Sequence, residues 1–428
     1  MVGVRSNRSD APRGRAPADW TACRLDLMAG PPSKGRSFAF MVRMAYVSTY
    51  SPRRCGIAAF TGDLSSAAGS REIVALHAAG FAPAPYPVEV HHRIRRDEQA
   101  DYVRTARALE ACVAVVSIQH EYGIWGGVSG GYVVDFARAL NIPSIATLHT
   151  VLPNPSVTQR EIISALVASA SATVVMSQSA ADRLRAAYGV DLGTVSIIPH
   201  GVPDVPLVDP DTVKPAVGLA GRPVILSFGL LGPGKGLELV LDALPAVVAA
   251  HPTVCYVIAG ATHPDLLLAQ GEAYRQSLQD KVAALGLEQN VLFHDRFMGR
   301  TELLRWLDAT DVFVTPYPNL DQIVSGTLAY AMGAGRAIVS TPYTYAAELL
   351  SSEHGVLVPV RSPEAWASAL IAVLDDHDRR AELGRRAYQR SRGMVWSRVA
   401  DQYRALSSRV AMTPVREPVR LASSAINA

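Results

Sequence analysis

The chain has 428 residues and a mass of 45.7 kDa, which is more than one hydrophobic core usually supports, so we expect two or three domains. Hydrophobic residues make up 49% and charged residues 18% of the chain, a composition that excludes an intrinsically disordered protein. The net charge is +3, and because residues 1–40 contribute +4, the remaining chain carries −1 and offers no electrostatic basis for nucleic acid as the main partner.

The cysteine pattern and the absence of long apolar runs indicate a cytoplasmic protein. The four cysteines, at positions 23, 55, 112 and 255, form no CxxC pair and no Cys/His spacing typical of zinc ligands. No apolar run reaches the roughly 18–20 residues that span a bilayer, and the first residues lack the apolar segment of a signal peptide. We therefore predict a cytoplasmic location and no metal site.

Short apolar runs alternate with helical patterns twice along the chain, which predicts two α/β domains, each with a doubly wound parallel sheet. The strand candidates are residues 41–48, 73–77, 113–119, 144–149, 173–176, 195–199, 224–228, 254–259, 291–294, 312–316, 337–340 and 355–359. The predicted organisation is a disordered basic extension (1–40), an N-terminal domain (41–201), a proline-rich linker (202–222), a C-terminal domain (223–394), a last amphipathic helix (395–412) and a tail (413–428). A peripheral membrane contact of the basic extension is the alternative for residues 1–40.

In each predicted domain, a glycine-containing turn follows the first strand, where doubly wound sheets bind phosphates at helix N-termini. These turns are residues 51–58, with Gly56, and residues 229–236, with Gly234 and Lys235. Lysine is scarce, with four residues among 41 basic ones, so Lys235 in a glycine-rich turn indicates phosphate binding. The alternative is an ordinary solvated lysine, and the turn is not a Walker A loop.

Two further clusters follow predicted strands. Ser325, Gly326 and Thr327 open a helix and offer hydroxyl and amide groups to a phosphate or a sugar; a plain capped helix is the alternative. His120 and Glu121 precede a glycine-rich turn that contains Trp125. These three residues are candidates for an acceptor pocket in which the indole stacks on a sugar ring, and a structural turn is the alternative.

Three segments in this order resemble the retaining glycosyltransferases of the GT4 ("group 1") family. They are the Pro-His-Gly-Val sequence at 199–202, the loop 229–236 and the stretch 322–335. The resemblance covers roughly residues 44–410 and implies the GT-B fold, in which two Rossmann-like domains face a central cleft. It also implies that the helix containing residues 396–404 crosses back to the N-terminal domain.

The resemblance assigns roles to individual residues. It implies that His149 is the active-site histidine that contacts the donor sugar, with a core histidine as the alternative. It implies that Lys235 binds the donor pyrophosphate and acts with His149 in catalysis. Gly56 matches the N-terminal glycine loop near the donor phosphate, and Glu348 matches a glutamate near the nucleotide.

The chain departs from the family pattern at three positions. Leu230 stands where the family usually has an arginine, and Gln322 and Tyr330 stand where it usually has two glutamates eight residues apart. A charge-assisted hydrogen bond contributes about 1.5–3 kcal/mol, so we expect Gln322 and Tyr330 to contact the donor differently from the usual carboxylates. The candidates for a replacement cation are Arg296, Arg300 and Arg336.

The resemblance implies a retaining glycosyltransferase that moves a hexose from a nucleotide-sugar donor to a carbohydrate or other hydroxyl acceptor, with neither metal nor other cofactor. Two alternatives follow from the missing carboxylates. One is a phosphorylase-like enzyme of the same fold that uses a sugar 1-phosphate. The other is a non-catalytic sugar-binding scaffold.

Overall fold

Two parallel β-sheets follow one another along the chain, in a computed structural model that describes residues 42–78 and 85–413. The strands of the first sheet are β1 Met44–Ser48, β2 Glu72–His77, β3 Val90–Arg95, β4 Val115–His120, β5 Ser144–Leu148, β6 Ala172–Val175 and β7 Val195–Ile197. The strands of the second sheet are β8 Val224–Phe228, β9 Cys255–Ala259, β10 Val291–His294, β11 Val312–Thr315, β12 Ala337–Ser340 and β13 Val356–Leu357. The predicted extension at 1–40 and the tail beyond Thr413 lie outside the described residues.

Helices separate the strands, as the alternating pattern predicts. In the N-terminal half they are α1 Gly56–Ala68, α2 Gln99–Leu109, α3 Tyr132–Ala139, α4 Val157–Ser169 and α5 Gln178–Tyr188. The short α6 Pro210–Val213 lies in the linker. In the C-terminal half they are α7 Leu237–Ala250, α8 Pro264–Gln270, α9 Ala273–Ala284, α10 Arg300–Asp308, α11 Gly326–Gly333, α12 Thr344–Leu349, α13 Pro363–Asp375, α14 His377–Ser391 and α15 Trp396–Ala411. None of the helices in the described ranges is both long and apolar enough to cross a bilayer.

The strand order of each sheet determines where a ligand can bind. The first sheet has the order β3-β2-β1-β4-β5-β6-β7 and the second β10-β9-β8-β11-β12-β13, with every pairing parallel. In the first sheet, β2 and β3 are added on one side of β1, and the strands from β4 onward are added on its other side. The second sheet changes sides in the same way, with β9 and β10 on one side of β8 and the strands from β11 onward on the other. Loops leave a doubly wound sheet in opposite directions at such a switch point and open a crevice beyond the carboxyl ends of the strands.

The strand that the sequence analysis missed is β3, at the edge of the first sheet. Its residues alternate between exposed and more buried positions, and its sequence is rich in histidine and arginine. Central strands such as β1 are buried on both faces and are continuously apolar. An edge strand that faces solvent can be polar, so β3 lacked the pattern that identified the other strands.

The linker is held firmly against the C-terminal domain. Asp209 caps α6 by accepting a hydrogen bond from the Asp211 amide at 3.0 Å, so this acidic pair is a helix start. The Lys214 side chain is 5% exposed, and its ammonium lies 2.6 Å from an Asp211 oxygen and 2.7 Å from a carboxylate oxygen of Asp311, which is 7% exposed. Buried Arg336 donates hydrogen bonds to the Val208 carbonyl oxygen of the linker and to the Thr310 carbonyl oxygen, which precedes β11.

The last helix returns to the N-terminal domain. The apolar side chains of α15 join the core of the first sheet, and the hydroxyls of Thr147 and Tyr403 lie 3.0 Å apart. Val395 pairs with Val202 just before α15 begins. The two sheets are therefore tied together by α15 as well as by the linker.

Replacing Lys214 tests how strongly the linker stabilises the fold. Lys214→Ala leaves the Asp311 carboxylate buried without its ammonium partner, and loss of one member of a buried ion pair costs about 3–5 kcal/mol. We therefore expect the free energy of unfolding, measured in urea, to decrease by about 3–5 kcal/mol. Lys281→Ala is the control, because Lys281 and its partner Asp242 are 31% and 37% exposed, and it should cost about 0–1 kcal/mol. Equal losses of unfolding free energy in the two variants would contradict a stabilising role for the buried ion pair of Lys214 and Asp311.

Candidate active site at the interdomain cleft

Lys235 lies at the switch point of the second sheet. The loop after β8 ends in a 3-10 turn, Pro233–Lys235, which Gly236 closes with φ +61°. A Cβ at Gly236 would lie 2.2 Å from the Pro316 carbonyl oxygen, so only glycine allows the loop this close to the end of β11. The Lys235 ammonium donates to the Tyr317 hydroxyl at 2.9 Å and lies 4.5 Å from the centre of its ring.

Hydroxyl groups extend this site toward α11. The Tyr317 hydroxyl lies 2.6 Å from Thr327 Oγ1, which lies 3.1 Å from Ser325 Oγ. Burial opposes ionisation of Tyr317, but the positive charge of Lys235 and the hydrogen bonds to Lys235, Thr327 and Ser325 together lower the pKa of the phenol. Tyr317 was not among the predicted site residues, although a tyrosine two residues after the end of β11 was a usable signal. A cation beside three hydroxyls and a helix N-terminus suits a phosphate group.

Two of the three glycines predicted to bind the donor, Gly234 and Gly326, occupy different surroundings. Gly234 is exposed, and no atom of the described residues lies within 4 Å of the position of a Cβ there. A Cβ at Gly326 would instead lie 2.8 Å from Nε2 of His200. The start of α11 therefore packs against an imidazole ring that the sequence analysis did not include among the site residues.

Three buried histidines line the junction between the domains. Burial lowers the pKa of His120 and of His149 to about 3 and that of His200 to about 4, so all three rings are neutral at pH 7. The edge of Phe60 on α1 packs against His149 and His200, with ring centres 4.8 and 5.2 Å apart. His149 is 4% exposed and bonds Gln119.

A cavity of about 200 Å³ opens in front of this junction. Its lining comes from the start of α1, the turn after β4 and the start of α8, and comprises Arg53, Arg54, Cys55, Gly56, Ile57, Glu121, Gly123, Ile124, His263, Pro264 and Asp265. Cys55 caps α1 by accepting a hydrogen bond from the Ala58 amide at 3.3 Å. Gly56 and Glu121 therefore face the cavity between the domains, and burial raises the pKa of Glu121.

Two predictions for the acceptor side are wrong. Trp125 is 3% exposed, packs against Tyr102 and donates from its indole to the Gln119 carbonyl oxygen at 3.0 Å, so it cannot stack on a ligand. His120 is fully buried and does not line the cavity, and among the described residues neither ring nitrogen has a hydrogen-bond partner. The glycine-rich turn folds both side chains inward, which sequence spacing does not reveal.

Two of the three residues that depart from the family pattern, Gln322 and Tyr330, make contacts within the protein. The Tyr330 hydroxyl donates to Asp63 on α1 across the cleft, and Arg300 donates to the same carboxylate at 3.1 Å. Burial raises the pKa of Asp63, although these two partners favour its charged form. Gln322 donates from its side-chain amide to the Val324 carbonyl oxygen at 2.8 Å.

Glu348 joins the two domains. Its carboxylate oxygens accept hydrogen bonds from the Gln178 and Ser179 amides at 2.8 and 2.9 Å, at the beginning of α5. A carboxylate at a helix N-terminus is stabilised by the unpaired amides and by the helix dipole. In this structure the Glu348 carboxylate therefore bonds the opposite domain, in contrast to the predicted nucleotide contact.

Of the three arginines considered as replacement cations, Arg300 lies at the cleft. Arg336 is 2% exposed and is bound to carbonyl oxygens, and Arg296 is paired with Glu302. Within the described parts of the chain, no cluster of three or more His, Cys, Asp or Glu side chains has a metal-binding arrangement.

Comparison with known proteins identifies the family. A family profile described as "Glycosyl transferases group 1" matches residues 222–376, and one described as "Glycosyltransferase Family 4" matches residues 124–204. The chain belongs to the group 1 (GT4) glycosyltransferase family. The two matches cover the switch point of the second sheet and the part of the N-terminal domain that carries His149.

Individual relatives agree with this assignment. The D-inositol 3-phosphate glycosyltransferase of Kineococcus radiotolerans is 29% identical over 50% of this chain and 51% of its own length. The enzyme of the same name from Xylanimonas cellulosilytica is 27% identical over 66% of this chain and 70% of its own. The chain thus spans about half the length of the first of these relatives. The structure of Anabaena Alr3699/HepE in complex with UDP has 16% identity and a TM-score of 0.70 over 86% of this GT4 chain and 100% of its own, which shows that the fold is GT-B.

The buried histidines predict loss of stability in acid. The unfolded chain binds a proton at each histidine below about pH 6.5, whereas His120 stays neutral in the folded protein down to about pH 3. The stability that depends on neutral His120 is therefore complete above about pH 6.5 and decreases as the pH falls. We expect His120→Gln to reduce the slope of unfolding free energy against pH by about 1.4 kcal/mol per unit below about pH 5.5.

Urea unfolding at several pH values measures that slope. The control is His377→Gln, because the His377 side chain is 73% exposed, and its slope should match that of the wild type. If His120→Gln has the same slope of unfolding free energy against pH as the wild type, the fold does not hold His120 neutral.

A double-mutant cycle tests the bond between Tyr330 and Asp63. Directly bonded residues usually couple by about 0.5–3 kcal/mol, so the unfolding free energies of Tyr330→Phe, Asp63→Ala and the double variant should deviate from additivity by that amount. Tyr388→Phe with Asp63→Ala is the matched control, because the Tyr388 hydroxyl donates to the Val205 carbonyl oxygen instead. Additivity in both cycles would refute the interdomain bond.

Proposed function

We propose that this GT4 protein is a retaining, metal-independent glycosyltransferase that moves a hexose from a nucleotide sugar to a hydroxyl acceptor. The observation that carries the proposal is the Lys235 ammonium at the switch point of the second sheet, in hydrogen-bond contact with Tyr317. A compact cation beside the hydroxyls of Ser325 and Thr327 is suited to bind a diphosphate. The UDP named in the HepE complex supports a nucleotide as the part of the donor that binds there.

The cavity between the domains is the proposed site of the acceptor. It is lined by Arg53, Arg54, Glu121 and Asp265, which offer donors for an anionic group and acceptors for hydroxyls. This mixture fits a hydroxylated acceptor that also carries a phosphate. The name of the D-inositol 3-phosphate glycosyltransferases agrees with an acceptor of this chemistry.

The proposed reaction proceeds on one face of the donor sugar. The bond between the anomeric carbon and the leaving phosphate breaks, the acceptor oxygen forms its new bond on the same face, and the leaving phosphate takes the acceptor proton. Lys235 and the amides of the glycine loops stabilise the charge that develops on the phosphate. His149 supports the charge at the reacting carbon through contact with the sugar.

One observation favours the phosphorylase-like alternative. Tyr330 replaces a glutamate that holds the nucleotide ribose in this family, and its hydroxyl bonds Asp63. A donor without a nucleotide, a sugar 1-phosphate, would not need that glutamate. It would still need Lys235 for its phosphate.

Replacing Lys235 tests the proposed donor site. Removal of a hydrogen bond to a charged group costs about 1.5–3 kcal/mol, so Lys235→Ala should bind the donor about 10- to 150-fold more weakly and lose transfer activity. Lys281→Ala removes a lysine on α9 and should bind as the wild type does. Equal donor affinity of Lys235→Ala and the wild type would refute the role of Lys235.

A thermal-shift panel distinguishes the candidate functions. It contains UDP, GDP and ADP, their hexose conjugates, and hexose 1-phosphates; a ligand at about 100 times its Kd adds about 2.7 kcal/mol of stability. A shift with one nucleotide and its sugar conjugate supports the transferase. A shift with sugar phosphates alone favours the phosphorylase, and binding without turnover favours a sugar-binding scaffold.

A further inference from the structure

We propose that Gln119 is a positioning residue for His149, which it holds in the tautomer with the proton on Nε2, so that Nδ1 accepts a hydrogen bond from a hydroxyl of the bound sugar. The inference rests on the function proposed above and extends it to a residue outside the family motifs. Gln119 lies on β4, next to β5, and His149 follows the end of β5.

The directions of the hydrogen bonds determine the tautomer. The Gln119 side-chain nitrogen donates a hydrogen bond to the hydroxyl oxygen of Ser117 at 3.0 Å. Its oxygen lies 2.9 Å from Nε2 of His149. Because an amide oxygen can only accept, Nε2 must carry the proton, and a neutral ring then has an unprotonated Nδ1.

The surroundings keep the ring neutral. His149 lies near His120 and His200, which are also buried and neutral at pH 7. Glu121 directly follows β4, and its carboxylate accepts hydrogen bonds from the Thr150 hydroxyl and the Tyr122 amide. A neutral imidazole can donate at one nitrogen and accept at the other, which a protonated ring cannot do.

The position of Gln119 is itself fixed from two sides. Its carbonyl oxygen accepts the indole hydrogen of Trp125 at 3.0 Å, and its strand pairs with β5 in register, with Gln119 opposite Thr147. The His149 amide donates to the His120 carbonyl oxygen at 2.9 Å. Trp125, which does not stack on a ligand, thus supports the residue that orients the histidine.

His200 provides an internal comparison. Its Nδ1 lies 2.7 Å from the Gly201 carbonyl oxygen, so Nδ1 carries the proton and Nε2 is the acceptor. The two histidines on either side of Phe60 therefore hold opposite tautomers. Each is fixed by an oxygen that can only accept.

The tautomer can be measured without turnover. The full chain is labelled with ¹⁵N-histidine, and the signal of His149 is assigned by its loss in His149→Gln. We expect the nitrogen chemical shifts of an Nε2-protonated ring in the wild type at pH 7, and a change of tautomer or a mixture in Gln119→Leu. An Nδ1-protonated ring in the wild type, or an unchanged tautomer in Gln119→Leu, would overturn the proposal.

Kinetics give a second readout. Gln119→Leu leaves the buried Nε2 hydrogen of His149 without its acceptor, so it should lower kcat about 10- to 100-fold with little change in KM. Gln119→Glu keeps an acceptor for Nε2 but favours protonation of the ring, so we expect it not to restore kcat. Full activity of Gln119→Glu would show that the unprotonated Nδ1 is not needed.

The controls are Gln402→Leu and Gln402→Glu, because Gln402 is exposed on α15; both should retain wild-type kinetics and the wild-type tautomer. Turnover by a Gln119→Leu variant at the wild-type rate would overturn the positioning role alone. Absence of transfer by the wild type with every nucleotide sugar would instead refute the proposed function, and the tautomer measurement would still decide the inference about Gln119.

Discussion

The parallel arrangement of both sheets is the constraint on which the site depends. All strands of a parallel sheet end at the same edge, so the chemistry of each domain collects at one edge, and two domains make a joint site only if those edges face each other. Two contacts hold the two sheet edges facing each other. The apolar face of α15 is buried in the N-terminal core, and Val395 pairs with Val202. The functional residues therefore depend on contacts made by a helix far from them in sequence.

The charge distribution at the cleft follows from burial. The three junction histidines are neutral because the protein around them cannot hydrate a cation, which leaves Lys235 as the cation nearest the hydroxyls of α11. Tyr330 and Asp63 form a hydrogen bond between the domains where the family has a carboxylate for the ligand. The cleft of this GT4 protein thus combines the Lys235 ammonium and nearby hydroxyls with a hydrogen bond between the domains.

Much of the fold could be predicted because the buried strands are apolar. Strands β8 to β13 lie within a few residues of their predicted positions, whereas β3 was missed because an edge strand can remain polar. The position of Lys235 in the loop after β8 also follows the predicted pattern. Its partner Tyr317 and the histidine His200 were not predicted, because each acts through a contact distant in sequence.

By itself, the sequence determined the two α/β domains, the order of their strands along the chain, the family and the glycine-rich turn that carries Lys235. These depend on local patterns, since hydrophobic periodicity and glycine act over a few residues. Only the tertiary structure decided that Trp125 is buried, that Glu348 accepts hydrogen bonds from the first amides of α5 and that Gln119 contacts His149. The direction of a side chain and the partner of its polar atoms depend on packing between distant segments, which no local pattern encodes.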